Sequence, residues 1–347
     1  MGAEEVSPLP AAALRELSRA ARFDLCGFAR AEPIPAEHLT SWLEAGYAAD
    51  MDWMGERAAE RLDVSRLLPG ARTVVSFACN YYGEHPDSAA SPLALYARGR
   101  DYHATMRDRV RAFRRSLRAA FPHVETYAGV DATPLMEKVW AVRAGLGHVG
   151  KNGCLITRDF GSWVVLATMV LDAEVDEYPD AVPADRCGAC RLCLTHCPTG
   201  AIVPGRQVDA RRCISFQTIE NEGEVPAGLR GALREWVFGC DVCQRVCPLN
   251  RAPVPTQDAR FLPRPVAGLS ALQLAAMSRA EYEQYVPGSA LARAGYDGLR
   301  RNAAYALGAA RDASARAVLE QLAHDAAPRV AEAARWALAE LGGAAHV

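Results

Sequence analysis

The chain contains two runs of closely spaced cysteines, each closed by a Cys-Pro pair. The runs are Cys187-x2-Cys190-x2-Cys193-x3-Cys197-Pro198 and Cys240-x2-Cys243-x3-Cys247-Pro248. Three thiolates at such short intervals can hold one face of an iron–sulfur cubane, while the cysteine before the proline ligates the neighbouring cluster. The pattern is typical of two-cluster ferredoxin modules, so it predicts one-electron transfer.

The second run has one cysteine fewer than the first, and Cys213 is the predicted replacement. It completes the ligands for two [4Fe-4S] clusters. By the ferredoxin pattern the first cluster is held by Cys187, Cys190, Cys193 and Cys247, and the second by Cys197, Cys213, Cys240 and Cys243. The alternatives are two structural zinc sites and a disulfide framework. Three thiols at successive intervals argue against zinc, and the chain length and missing secretory leader argue against disulfides.

Composition limits the class of protein. The 347 residues are 50% hydrophobic and 23% charged, as in a soluble globular protein of two or three domains. The N-terminus carries Glu4 and Glu5 and has no apolar core, so no signal peptide is expected, and no apolar run could span a bilayer. We therefore expect a cytoplasmic protein without membrane contact. The net charge of -2 excludes a globally basic nucleic-acid-binding protein.

One local segment is nevertheless strongly basic. Its arginines are Arg98, Arg100, Arg107, Arg109, Arg111, Arg114, Arg115 and Arg118, opposed by Asp101 and Asp108 alone. A solvated helix face is one interpretation of this spacing. Contact with the phosphates of a cofactor tail or of an RNA is the other.

Strand and helix patterns alternate in the N-terminal half. Residues 73–78 and 163–171 are predicted as strands, and residues 103–120 and 135–144 as helices. We expect a chain of mixed α+β/α/β class, with an α/β domain over residues 1–180 and a ferredoxin-type cluster module over residues 181–255.

Residues 256–347 contain an alanine-rich helical repeat. Tyr305 and Leu307 recur as Trp336 and Leu338 with a period of 31 residues. Helices repeating at about this length resemble HEAT-type units. We expect this tail to dock on the rest of the protein. It either binds a macromolecule or serves as a packing cap.

Several motifs, taken together and in order, resemble those of epoxyqueuosine reductases. They are Leu68-Pro-Gly-Ala-Arg72, Gly99-Arg-Asp-Tyr-His103, Asp131-x-x-Pro134-x-x-Glu137, Ala144-Gly-Leu-Gly-x-x-Gly-Lys-Asn152 and Arg212-Cys-Ile-Ser215. Each motif alone is weak. Their order and spacing extend the resemblance from about Asp24 to the C-terminal repeats.

The resemblance implies an enzyme that binds cobalamin in the N-terminal domain beside two [4Fe-4S] clusters. Such enzymes reduce the epoxide of epoxyqueuosine in the tRNA anticodon loop to queuosine, the last step of that modification. By similarity Asp131 is the proton donor near cobalt, and the cobalamin-lining positions are Arg61, Asp131, Leu155, Leu166, Ser215, Cys240 and Asp241. The implied partners are the tRNA anticodon stem-loop and an electron donor such as flavodoxin or ferredoxin. We expect a monomer.

An acid is needed because removing an epoxide oxygen as water consumes two electrons and two protons. An aspartate with an ordinary pKa of ~3.9 is ionised at neutral pH. We expect burial against the corrin, away from cations, to raise the pKa of Asp131. The alternative role for Asp131 is to cap a helix beginning at Pro134, and the two roles are compatible.

Asp101-x-His103 resembles the start of a motif that offers histidine to cobalt, but Met106 replaces its glycine. We therefore expect cobalamin without a histidine ligand from the protein, and His103 as a hydrogen-bonding residue in its loop. Two positions depart from the family pattern: Ala94-Leu95, where a polar residue and an arginine are common, and His148, where an aromatic is frequent.

Three further cysteines, Cys26, Cys79 and Cys154, lie outside the predicted ligand sets and are interpreted as buried small hydrophobic residues. Two other functions remain open. A ferredoxin-type carrier would leave the first ~180 residues and Asp131 without a role, because it needs the cysteine module alone. A small-molecule dehalogenase, whose family shares both cofactors, would have no use for the helical tail.

Overall fold

The computed structural model describes residues 7–83 and 91–342. Residues 1–6, on which the prediction about a signal peptide partly depends, lie outside this part of the chain. Within the described ranges, every helix is too short or too polar to cross a bilayer.

Short strands and helices alternate in the N-terminal half, and helices dominate the C-terminal third. The strands are β1 Leu25–Arg30, β2 Thr73–Asn80, β3 Thr126–Gly129, β4 Gly147–Val149, β5 Leu155–Thr157, β6 Val164–Leu171, β7 Ile202–Val203 and β8 Gln207–Val208. The helices are α1 Ala11–Ala20, α2 Glu37–Glu44, α3 Trp53–Glu56, α4 Ala58–Leu62, α5 Tyr102–Ala120, α6 Glu137–Arg143, α7 Leu192–His196, α8 Ile214–Ile219, α9 Ala227–Arg230, α10 Val242–Arg245, α11 Ala271–Ala276, α12 Arg279–Tyr285, α13 Gly295–Ala310, α14 Arg316–Leu322 and α15 Pro328–Gly342.

Four strands form one sheet in the order β1-β2-β6-β3. Every residue of the central strand β2 is buried. Its alternate side chains point to opposite faces. Val75 and Phe77 pack with residues of α1 and α5, whereas Val74 packs with Trp140 of α6. The sheet is therefore covered by helices on both faces.

The predicted mixture of helices and strands is present, but all neighbouring strands of this sheet are antiparallel, so the region is α+β rather than α/β. A continuous apolar run such as residues 163–171 indicates burial on both faces and says nothing about the direction of the neighbouring strand.

Two contacts join the sheet to the chain that follows the cysteine runs. Arg109 of α5 is buried, forms an ion pair with Asp258 and donates to the backbone oxygen of Arg22. Asn80, at the end of β2, donates through Nδ2 to the backbone oxygen of Val254, 2.7 Å away. The segment after the second cysteine run is thereby held against the sheet.

The C-terminal helices share one hydrophobic core with the segment between Cys213 and Cys240. Arg301 and Asn302 of α13 are buried in that contact. Arg301 donates to the backbone oxygens of Gln217, Asn221 and Gly223, and Asn302 donates to those of Thr218 and Val237. This docking satisfies carbonyl groups that burial would otherwise leave unpaired.

Helices α13 and α15 pack directly against each other. The rings of Tyr305 and Trp336, which the sequence repeat aligns, lie with their centroids 5.5 Å apart. A Cβ atom added to Gly308 would lie 2.7 Å from both Cα of Ala337 and the Trp336 ring. Gly308 therefore permits the close approach of the two helices.

Gly308→Ala should lower the stability of the protein by about 1–3 kcal/mol, because α15 must move to admit the methyl group. Gly298→Ala in the same helix is the matched control. Its added Cβ would meet Ala294 Cβ at 3.4 Å, so higher helix propensity should leave stability unchanged or raise it by up to about 1 kcal/mol. Thermal unfolding midpoints, measured anaerobically, test the difference. Equal losses in both variants would contradict the close-packing argument.

Candidate active site

The first predicted cluster ligands are brought together by the fold. Cys187, Cys190, Cys193 and Cys247 line one cavity. Lys151 donates through Nζ to the backbone oxygens of Gly188 and Cys190, at 2.6 and 2.8 Å, and so fixes the loop between the first cysteines. Four thiols around one cavity are the donor set that a [4Fe-4S] cluster requires.

The second predicted set also forms a group. Burial raises the pKa of the Cys240 thiol to about 12, and the neighbouring Cys213 and Cys197 sulfurs contribute to that rise. Burial likewise raises the pKa of Cys213, beside Cys197. Burial thus disfavours the free thiolate form of both residues, and binding of a metal would displace their protons. The chain's eleven cysteines all lie in the described residues, and none forms a disulfide.

Cys154 is the residue that sequence analysis missed. It lies in the turn between β4 and β5, and its thiol hydrogen-bonds that of Cys243, which lowers the pKa of Cys154 and raises that of Cys243. Asn152 of the same turn donates through Nδ2 to the backbone oxygen of Cys243, 3.4 Å away. Cys79 is buried as predicted, and Cys26 is partly buried. In the sequence, the position of Cys154 two residues after the Gly-Lys-Asn motif was the feature that could have indicated a functional role for this thiol.

Asp131 lies between β3 and α6, in a left-handed conformation with φ of 57°. Its Oδ2 accepts hydrogen bonds from the hydroxyl of Tyr102 at 2.9 Å and from Nε2 of His103 at 2.8 Å. Nδ1 of His103 lies 2.7 Å from Oδ1 of Asp101. The imidazole is therefore held between two carboxylates. Non-glycine residues in this backbone conformation are uncommon and are enriched at functional sites.

The prediction that burial raises the pKa of Asp131 is wrong. The hydrogen bond from His103 is the largest influence and lowers the pKa of Asp131 below its ordinary value. Burial opposes the charge on His103, but hydrogen bonds to Asp101 and Asp131 outweigh it and raise its pKa to about 9. Burial raises the pKa of Glu137, which accepts from the Asp131 backbone N–H, to about 8. At neutral pH the protons are thus on His103 and Glu137, and Asp131 is a carboxylate.

The alternative role of Asp131 as a helix cap is also not observed. Helix α6 begins at Glu137 with Met136 at the N-cap position, and no side chain caps it. The residues from Pro134 to Met136 are not helical, so the Asp-x-x-Pro pattern marks a turn instead.

Asp241, which follows Cys240, is buried, and its charge and that of Asp131 both act on Tyr96. Its Oδ2 accepts a hydrogen bond of 2.7 Å from the Leu95 backbone N–H, so the main chain supplies a polar contact where Ala94-Leu95 depart from the family pattern. Burial and the charges of Asp241 and Asp131 raise the pKa of Tyr96, whose ring centroid lies 5.7 Å from that of Tyr102. These tyrosines connect the surroundings of Asp131 with the second cysteine group.

The remaining predicted positions are distributed over several elements. Leu155 is buried in β5, Leu166 is partly buried in β6, and Ser215 follows Cys213 at the start of α8. Arg61 is buried in α4, where it donates to the Trp53 backbone oxygen at 3.3 Å. Among the described residues, the contacts of Arg61 do not connect it to Asp131.

The basic segment is not a single exposed face. Arg98 and Arg109 are buried, whereas Arg100, Arg107, Arg111, Arg115 and Arg118 are exposed and Arg114 is half-buried. His148 is also buried, in β4, where it accepts a hydrogen bond of 3.4 Å from the Arg186 backbone N–H. It therefore lies beside the first cysteine group.

Two family models match parts of this chain, and relatives and solved structures match it over most of its length. The 4Fe-4S double cluster binding domain matches residues 186–250, and the family described as Epoxyqueuosine reductase QueG, DUF1730, matches residues 61–132. The epoxyqueuosine reductase of Gloeobacter violaceus is 41% identical over 323 residues, covering 88% of this chain and 98% of the relative.

Two solved structures share the fold. A crystal structure of epoxyqueuosine reductase with an epoxyqueuosine-modified tRNA-Tyr stem loop matches with a TM-score of 0.88 and 30% identity, over 95% of this chain and 90% of that one. A structure of epoxyqueuosine reductase from Bacillus subtilis, with its catalytic aspartate loop swung out of the active site, matches with a TM-score of 0.88, 29% identity and the same coverage.

Residues 186–250 are therefore a 4Fe-4S double-cluster domain, which contains the four cysteines of the first cavity. The likeness to the Gloeobacter relative extends well beyond this domain on both sides. The chain belongs to the epoxyqueuosine reductase family.

Proposed function

We propose that the protein reduces the epoxide of epoxyqueuosine, at the wobble position of tRNA anticodons, to queuosine. The observation that carries this proposal is the end-to-end likeness to a reductase solved with its modified tRNA stem loop. An isolated electron carrier would not need the α+β region with its His103–Asp131 pair. The reaction breaks both carbon–oxygen bonds of the epoxide, forms a carbon–carbon double bond and releases water, at the cost of two electrons and two protons.

The cysteine groups supply the electrons in this proposal. Cys187, Cys190, Cys193 and Cys247 hold one [4Fe-4S] cluster, and Cys197, Cys213, Cys240 and Cys243 hold the other. Each cluster passes a single electron at a time. Two successive reductions are therefore needed for each epoxide, with flavodoxin or ferredoxin as the electron donor.

Cobalamin is the proposed mediator, because the clusters do not act on carbon themselves. Two features of the described residues fit it. Nε of Arg61 is buried without a hydrogen-bond partner, as expected where a ligand's polar tail would complete it. Both side-chain hydrogen bonds to Asp131 go to Oδ2, and the side chain is 57% exposed, which leaves Oδ1 accessible. When bound, cobalamin supplies a strongly reduced metal that acts on carbon.

The proposed lining of the corrin and its tail consists of Arg61, Asp131, Leu155, Leu166, Ser215, Cys240 and Asp241. The protein's own chemical contribution is proton delivery. Asp131 contacts the epoxide oxygen and passes on a proton from Nε2 of His103, while Asp101 orients the imidazole through Nδ1. The imidazolium is the reservoir, because Asp131 itself is ionised at neutral pH.

The C-terminal helices are the proposed HEAT-like part of the protein, with residues 1–180 as the cobalamin-binding domain. We propose that the helices and the exposed arginines of α5 hold the phosphates of the anticodon stem-loop. The splayed base would enter beside Asp131. The protein acts as a cytoplasmic monomer in this proposal.

Cys213→Ala should remove one cluster and leave the other. Iron content after anaerobic reconstitution is expected to fall from roughly eight to roughly four atoms per chain. Cys26→Ala is the matched control, since this partly buried thiol in β1 belongs to neither group. Full iron content and unchanged cluster spectra in Cys213→Ala would contradict the ligand assignment.

Asp131→Asn should reduce turnover of epoxyqueuosine-containing tRNA by about 10²–10⁴-fold, because the amide cannot pass on a proton. Iron content and cobalamin binding should persist. Asp159→Asn, at an exposed position, is the control. The rate of queuosine formation is the measurement, and wild-type turnover in Asp131→Asn would remove Asp131 from the reaction.

The rate of the chemical step should decline as pH rises through about 9, because the imidazolium of His103 then loses its proton. His103→Gln should abolish this decline and lower the rate at neutral pH. Glu137, with a pKa of about 8, is the other group titrating nearby, so Glu137→Gln serves as the comparison and should keep the decline near 9. Single-turnover rates measured as a function of pH show which of the two residues is responsible for the decline. A decline that persists in His103→Gln and disappears in Glu137→Gln would assign the reservoir to Glu137.

A further inference from the structure

Exposed apolar and basic residues lie within the first cysteine run and in the segment directly before it. Val182 is 58% exposed and Leu192 is 36% exposed, and both belong to the few large hydrophobic residues exposed in the described chain. Leu192 directly precedes Cys193, whose thiol lines the cavity. Single exposed apolar residues are common, but Leu192 lies inside the Cys187–Cys193 loop and Val182 lies five residues before it.

The charges of this loop are predominantly positive. Arg186 and Arg191 are exposed, and neither has a carboxylate partner among the described residues. Lys151 adds a third positive charge, because its Nζ is bound to backbone oxygens of the loop rather than to an acid. Asp185 is neutralised by its ion pair with Arg206. Asp180, two residues before Val182, is also exposed. The three cations outnumber this acid, so the segment carries a net positive charge around Val182 and Leu192.

The second cysteine group is less accessible. Helix α8, which follows Cys213, has four buried residues of six, and residues 236–239, which precede Cys240, are buried as well. The two groups are nevertheless adjacent. Asn152 lines the first cavity and also donates to the backbone oxygen of Cys243. An electron that enters at the first group has a short route to the second.

We propose that this face, formed by Val182, Arg186, Arg191, Leu192 and Lys151, is the docking surface of an acidic one-electron carrier protein. The inference rests on the proposed function and specifies where its electrons enter. In each encounter the carrier is oxidised by one electron and the first cluster is reduced by one electron. Two encounters supply one epoxide reduction. Complementary charge accelerates such encounters, and a small apolar centre suits the limited area of transient redox complexes.

An RNA is the competing occupant of a basic face. The apolar centre argues against it, since RNA contacts on this surface would depend on phosphates. Lys151 and Arg186 line the first cysteine cavity. This proximity also favours a redox partner, because electron transfer weakens steeply with distance.

The test is the rate at which fully reduced flavodoxin reduces the clusters of the reconstituted holoenzyme, followed anaerobically by stopped-flow absorbance. Arg191→Glu and Val182→Glu should each slow this second-order rate, and the double variant should slow it by roughly 10-fold or more at low salt. The effect of Arg191→Glu should shrink as ionic strength rises. Arg19→Glu, at an exposed position of α1 to which no role is assigned, is the matched control and should leave the rate unchanged.

Reduction by dithionite, a small reductant that needs no docking, should be equal in all variants, as should iron content. A double variant that accepts electrons from flavodoxin at the wild-type rate would overturn the proposal. So would weakened binding of the tRNA stem loop with an unchanged flavodoxin rate, which would assign the face to RNA. If no variant and no wild-type protein forms queuosine, while the flavodoxin rate still depends on Arg191, the proposed function fails and the docking surface stands.

Discussion

Cysteine sulfurs from distant parts of the chain have to come together in two groups, and the rest of the structure depends on this arrangement. The first cavity takes Cys247 from the end of the second run, so residues 187–193 cannot complete it alone. Lys151 fixes the first loop, and Arg301 holds the segment between the runs through its backbone oxygens. The β4–β5 hairpin and the C-terminal helices are therefore part of the framework that keeps the thiols in place.

A second constraint is electrostatic. His103 is held between Asp101 and Asp131, so the charged imidazole is stable at neutral pH and Asp131 stays ionised. The group that stores a proton is thus separate from the group that is free to contact a ligand. Tyr102 and Tyr96 then connect this pair with Asp241 and the second cysteine group.

The departures from expectation have a common origin. Strand direction, the capping role of Asp131, the pKa of Asp131 and the exposure of Arg98 and Arg109 all depend on which distant residues become neighbours. A periodic pattern reports how much of a segment is buried, and a local motif reports which turns it can form. Neither reports the partner on the other side of the contact. Cys154 was overlooked for the same reason, since Cys243 is distant in sequence.

The sequence by itself determined the double-cluster domain, the positions of most long helices and strands, and the segment around Asp131. These follow from cysteine spacing, hydrophobic periodicity and ordered motifs, which are properties of neighbouring residues. Only the tertiary structure decided that the sheet is antiparallel, that Cys154 touches Cys243, and that His103 rather than Asp131 keeps the proton. Those outcomes depend on desolvation and on charges brought together through space, and both are set by the packing of segments that are remote along the chain.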